Sequence, residues 1–239
     1  MSEPIIRLEN VGVAFNAQLR VGSSKFWALE DVSLTLERGA RLGVVGRNGS
    51  GKSTLLRTIA GIITPDRGKL TRAPVSCQLL SLALGFMPHL SGRDNAVLSG
   101  LMLGLRRRQI VQRLPAILEF SELGDFFDQP ISSYSTGMLM RLGFSVAIQV
   151  EPDVLLIDEV LAVGDADFQE KSGAALRERI AGGTTLVFVS HGHAQIHQVC
   201  DRALWIDHGR SMLEGPVDTV LAAYDAALHA GIPNAAATT

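Results

Sequence analysis

The sequence predicts an α/β fold: a mostly parallel sheet, led in by antiparallel strands and interrupted by a helical insert. Three observations predict it. A strand, loop and helix are centred on the pattern G-x-x-x-x-G-K-S at residues 46–53. Short apolar strands alternate with helices from residue 154 onward, and residues 91–150 keep helical spacing. At 239 residues the chain has room for one large domain or a domain carrying a subdomain. With 46% apolar and 19% charged residues it is a folded composition, not a disordered one. A net charge of −2 offers no electrostatic basis for wrapping nucleic acid, so none is expected as a partner. Cys77 and Cys200 have no metal-type spacing and suit reduced thiols in the cytoplasm. The first residues, MSEPIIRLEN, show neither a basic n-region nor an apolar h-region.

Taken in order, residues 5–9 and 11–15 read as an opening strand or strand pair, and residues 16–25 as a polar loop. Residues 29–36 alternate apolar and polar as a half-buried strand does. RLGVV at 41–45 is a short buried strand, and STLLRTIA at 53–60 the helix that follows the glycine loop. Pro65 and Gly68 make a turn of residues 64–69, before another short strand. Helices are predicted over 92–105, 106–120, 137–149, about 167–180, 194–200 and 218–231. Strands are predicted over 154–157, 185–189 and 203–206. Residues 73–92 contain no charged side chain, yet Pro74, Pro88, Gln78 and His89 argue against a membrane span there. The resulting division is a core over 1–80 and 151–225, a helical subdomain over 81–150, and a helix end and tail over 226–239.

The glycines at 46, 49 and 51 let backbone N–H groups converge on phosphate oxygens at the positive end of a helix. Gly46, Asn48, Gly49, Ser50, Gly51, Lys52, Ser53 and Thr54 are therefore candidate phosphate contacts, with Lys52 reaching the outer phosphates and the Ser53 hydroxyl offered to Mg²⁺. VLLIDE at 154–159 is a buried strand delivering two carboxylates at its C-terminal end, where open α/β sheets hold ligands. Asp158 is the candidate Mg²⁺ ligand and Glu159 the candidate general base for an attacking water.

Between these motifs lies Tyr134-Ser135-Thr136-Gly137-Met138. The order of glycine loop, helical insert, S-x-G at a helix start, apolar strand ending Asp-Glu and strand ending in His191 resembles the ATP-binding subunit of ABC transporters, from residue 5 to about 224. The Y-S-x-G-M form, DEVLAVGD at 158–165 and LSGRDN at 90–95 look like the branch that exports polysaccharides such as O-antigen, capsule or teichoic acid precursors.

The resemblance implies a RecA-like phosphate-loop core, with ATP and Mg²⁺ as cofactors. It implies a head-to-tail dimer of two copies, in which residues 134–138, above all Ser135 and Gly137, contact the ATP held by the other copy. It also implies that His191 contacts the γ-phosphate and orients the attacking water, and that Asp165 lies in a loop crossing the dimer interface. His193 and His197 match no family position. An aromatic near the N-terminus usually stacks on adenine, and Phe15 or Trp27 fills that role. No glutamine stands where the family has its γ-phosphate sensor; Leu82 aligns there, with Ser81 and Gln78 nearby, and Gln78 is a further candidate for the metal. The partner implied is a membrane permease, with the chain peripheral on the cytoplasmic face of the inner membrane and touching it only through that permease. Arg106-Arg107-Arg108 reads as a solvated helix face that would meet lipid phosphates if it lay against a bilayer. The competing readings are an ABC ATPase energising another substrate, a soluble non-transport ABC ATPase, and a different phosphate-loop enzyme; the N-K-x-D guanine motif is absent.

Overall fold

The computed structural model describes residues 4–18, 23–80, 82–158, 165–190 and 192–229. In chain order the elements are β1 (Pro4–Gln18), β2 (Ser23–Glu37), β3 (Arg41–Val45), α1 (Lys52–Ile59), β4 (Arg67–Arg72), β5 (Cys77–Leu79), α2 (Gly92–Met102), α3 (Arg107–Ser121) and α4 (Thr136–Ala147). There follow β6 (Val154–Asp158), α5 (Ala166–Ala181), β7 (Thr185–Val189), α6 (His193–Val199), β8 (Arg202–Asp207), β9 (Arg210–Pro216) and α7 (Val217–His229). They form two compact units: Met1–Cys77, Val154–Glu159 and Thr184–Thr239 make the first, Gln78–Asp153 and Val160–Gly183 the second. The second unit thus takes α5, which the sequence division placed in the core.

In the first unit the strands run β4-β1-β2-β9-β8-β3-β7-β6. β3 is parallel to both β7 and β8, and β6 is parallel to β7. All five residues of β7, and all but the first of β3, are buried, the continuous apolar pattern of a sheet covered on both faces. The leading strands are antiparallel: β1 pairs with β2 and with β4. The sequence break read at Asn10 is a bulge within one long strand. Asn10 adopts φ 49°, and the β1–β2 register shifts between Leu8 and Val11. The polar stretch expected as a loop over 16–25 is strand at 16–18 and 23–25, because backbone pairing continues past the last apolar residue. β9 was not foreseen; it returns antiparallel to β8 and touches β2 in parallel at Asp31 and Arg210, where the Arg210 guanidinium binds the Glu30 carboxylate at 2.6 Å. That pairing lowers the Glu30 pKa. His193 and His197 on α6 stand 3.5 and 3.3 Å from Asp225 and Asp218 of α7.

The second unit is helical. Ile110, Ile117, Phe127, Leu142 and Val146 are buried at its centre, and Phe120, Phe144 and Phe168 meet with ring centroids 5.7–6.2 Å apart. The LSGRDN stretch has a structural account. Ser91 Oγ accepts the Asp94 N–H at 3.1 Å and caps α2, Arg93 pairs with Asp128 at 2.6 Å, and the buried Asn95 amide donates to the carbonyls of Met87, Leu90 and Ser91. Among the described residues no helix is long and apolar enough to cross a membrane, and those of the uncharged stretch at 73–92 fall in β5, turns and irregular backbone, and the first residue of α2.

Candidate functional site

In the first unit, β3 delivers the chain into the glycine loop, and the loop turns directly into α1. Gly51 caps that helix in the left-handed region, φ 106°. A Cβ there would meet the Ala28 carbonyl oxygen of β2 at 2.4 Å, so only glycine fits. The loop borders a cavity of about 430 Å³ lined by Asn48, Gly49, Gly51, Lys52, Ser53, Thr54 and Asp158 on one side and by Phe15, Phe26 and Ala28 on the other. That is within the size of a small-molecule pocket, and it joins an anion-binding helix start to an aromatic wall.

The predicted phosphate contacts divide by burial. Lys52 is buried, and its ammonium donates to the carbonyls of Gly46 at 2.8 Å and Arg47 at 2.9 Å, which holds it across the loop. Ser50 is also buried, and among the described residues its Oγ has no hydrogen-bond partner. Such a group costs stability, and it faces Gly46 inside the loop and not the cavity. Ser53 and Asn48 are exposed to the cavity. Gly46 and Ser50 do not line it; both are buried beneath the loop.

Asp158 ends β6 opposite Val189 of β7, so the sheet itself carries its carboxylate to the cavity. One hydroxyl, of Ser53, and one carboxylate, of Asp158, are the sparse hard-oxygen set that Mg²⁺ uses when phosphates complete its shell. The residues present therefore fit Mg-nucleotide. Gln78, the further metal candidate, belongs to the second unit, where it is buried and its amide donates to the Ala147 carbonyl at 3.4 Å. Glu159 and His191, the two catalytic candidates, lie outside the described residues, as does Ser81.

Of the two aromatic candidates, Phe15 lines the cavity and Trp27 does not. The Trp27 ring carries the Arg67 guanidinium at 4.2 Å from its centroid, on the other face of β2. Its neighbour Phe26, not singled out from the sequence, pairs with Phe15 across the strands and is 58% exposed against 45% for Phe15. Strand periodicity decides this: side chains alternate between faces, so Phe26 and Trp27 cannot both face the cavity.

In the second unit, Ser135 caps α4 by accepting the Met138 N–H at 3.2 Å, and Ser135 and Thr136 are exposed. A Cβ on Gly137 would meet only Ser135 Oγ, at 3.8 Å, so the helix start is open to an approaching anion. Tyr134 and Met138 turn inward. The Tyr134 side chain is buried, with its hydroxyl donating to the Phe126 carbonyl at 2.6 Å, and Met138 packs on the same core. The Tyr134 and Met138 side chains thus anchor the segment, and Ser135, Thr136 and Gly137 lie at its more open helix start. Asp165 caps α5 by accepting the Phe168 N–H at 3.1 Å and forms an ion pair with Arg141, which also binds Glu122 at 3.1 Å. The Phe168 N–H first, and Arg141 second, hold the Asp165 carboxyl below its ordinary range.

A glycine loop feeding a helix, a strand-end carboxylate beside it and an aromatic wall across a cavity define a nucleoside-triphosphate-binding α/β protein. The chain belongs to the ABC transporter family, which it matches over residues 29–162. It is 42% identical to the O-antigen export system ATP-binding protein RfbB of Klebsiella pneumoniae over 95% of this chain and 99% of that protein. It is also 42% identical to the teichoic acids export ATP-binding protein TagH of Listeria monocytogenes serotype 4b, over 84% of this chain and 59% of TagH. Among solved structures, an ATP binding subunit of an ABC transporter superposes with a TM-score of 0.73 at 21% identity, covering 92% of this chain and 93% of that one. A dimeric post-hydrolysis state of the ATP-binding cassette MJ0796 bound to ADP and Pi gives 0.72 at 20% identity, over 89% and 99%. These two likenesses establish the shared fold.

Proposed function

We propose that this chain is the ATP-hydrolysing subunit that drives export of a polysaccharide or lipid-linked glycan, of O-antigen, capsule or teichoic acid type, through a separate membrane permease. The observation that carries the reading is the 42% identity to an O-antigen export ATP-binding protein across 95% of the chain, with the Lys52–Asp158 cavity supplying its chemistry. Phosphates are held by the loop amides and Lys52 at the start of α1, and Mg²⁺ by Ser53 and Asp158. The bound metal neutralises charge on the phosphates. Glu159, next in sequence to Asp158, takes the proton of the attacking water, with His191 helping to orient it.

The second half of the site comes from another copy. The open start of α4 at Ser135 and Gly137 supports this, because it offers N–H groups and a dipole to an anion. Asp165 approaches the same interface. The protein then sits on the cytoplasmic face of the inner membrane, peripheral to its permease. Glu159→Gln separates binding from chemistry: ATP affinity stays within about twofold, while turnover falls at least a hundredfold, the usual contribution of a general base. Unchanged turnover removes Glu159 from that role. The export reading is tested by deleting the gene. Surface glycan disappears while its lipid-linked precursor accumulates inside the cell; an unaltered surface refutes the reading.

A further inference from the structure

We propose that the closed end of the α2–α3 hairpin in the second unit docks on anionic phospholipid headgroups. The chain has a net charge of −2, yet residues 95–118 contain four arginines and no aspartate or glutamate. Three of the four, Arg106, Arg107 and Arg108, are exposed where the turn after α2 enters α3. Among the described residues none of these three forms an ion pair. Helix stability does not explain them. The first turn of α3 contains no acidic residue, and cations there oppose the helix dipole.

Apolar side chains surround the same corner. Leu101 is 40% exposed, Met102 54% and Val111 43%. Cations that can reach phosphates, beside apolar side chains that can enter the headgroup boundary, are the two components of interfacial membrane binding. One other polyanion fits less well. A nucleic-acid backbone would satisfy the arginines and leave Leu101, Met102 and Val111 with nothing to enter. Direct lipid contact departs from the expectation that the chain touches the membrane only through its permease.

The inference rests on the reading that the chain works against a membrane, and its test uses vesicles without permease, so its failure leaves the export reading standing. The full chain is sedimented with vesicles of phosphatidylcholine alone and of equimolar phosphatidylcholine and phosphatidylglycerol, at low salt. Binding is expected to the anionic vesicles only, and to be lost near 0.5 M salt, where the Debye length falls to roughly 4 Å. The variant R106Q/R107Q/R108Q should bind about a hundredfold more weakly, the summed effect of three cations at a membrane surface, with ATP affinity unchanged. Met102→Ser should weaken binding several-fold, and it stands as the independent readout should the triple variant fold poorly. Wild-type binding to both vesicle types alike, or equal binding by the triple variant, overturns the proposal. So does displacement by inorganic phosphate or by duplex RNA at matched ionic strength, which would assign the arginines to a small anion or to nucleic acid.

Discussion

Replacing Gly51 by alanine tests the phosphate loop as a backbone device, and replacing Gly49 provides its control. Both glycines lie in the left-handed region, at φ 106° and 79°. Alanine at either position bears the cost of that conformation, about 1–2 kcal/mol. The surroundings differ. A Cβ on Gly49 meets nothing within 4 Å, whereas one on Gly51 meets the Ala28 carbonyl oxygen at 2.4 Å and Leu29 Cδ2 at 2.8 Å. Relieving a contact with backbone displaces β2 or the start of α1, which adds about 1–3 kcal/mol. Gly49→Ala should therefore lower stability by about 1–2 kcal/mol and Gly51→Ala by about 2–5 kcal/mol. Urea unfolding of the two variants beside the wild type measures the difference. ATP titration should show at least a tenfold loss for Gly51→Ala, because the displaced segment carries Lys52. Equal destabilisation by the two substitutions would refute the packing argument, since their conformational costs are alike and only the Ala28 contact separates them.

Phe26→Ala should weaken ATP binding about two- to tenfold, the range of a lost aromatic contact, while Trp27→Ala leaves affinity unchanged and lowers the melting temperature; isothermal titration of both variants checks the assignment, and an effect at Trp27 alone would reverse it. Asp165 has a folded pKa held below its ordinary value, so its contribution is complete above the unfolded pKa, about 3.9, and is lost as pH falls through the folded value. Asp165→Asn should thus lower the melting temperature at pH 7, and the gap from wild type should narrow as pH falls below the ordinary carboxylate range; a gap independent of pH would leave the ion pair and the charged cap without effect. Burial pushes the Cys200 thiol up to about 12, so at pH 8 iodoacetamide should modify Cys77 and leave Cys200 intact until urea unfolds the chain, as mass spectrometry of the tryptic peptides would read; equal labelling of both in the folded protein would contradict the burial.

What the sequence disclosed follows from the range of the interactions involved. Gly46 to Ser53 was legible because its chemistry is local: the glycines, the lysine and the hydroxyl act within one turn, and β3 and α1 flank them at the predicted positions. Asp158 was legible for the same reason, as the last residue of a continuous apolar strand. β9 was not, because its sequence, RSMLEGP, neither alternates nor runs continuously apolar and becomes a strand by pairing with β8, a contact no local pattern announces. The placement of Tyr134 shows the other limit. Its anchoring was not legible, because an aromatic ring beside an exposed cap is drawn into the nearest apolar core when its hydroxyl can find a carbonyl, here that of Phe126.

Phe26 is the instructive omission. Parity does not carry from the buried Val32, Leu34 and Leu36 back to it, because Leu29 is buried as well and the β1–β2 register shifts between the Val11–Val32 and Val13–Leu29 pairs. What parity cannot say is which face borders the phosphate loop. That depends on the Ala28 carbonyl and side chain lying against Gly51 and the cavity, a contact between residues 23 positions apart. Ala28 and Phe26 share a face by period two, and both line the cavity while Trp27 does not. The glycine requirement at residue 51 is a second and separate contribution of the same strand, made by the Ala28 carbonyl in the plane of the sheet.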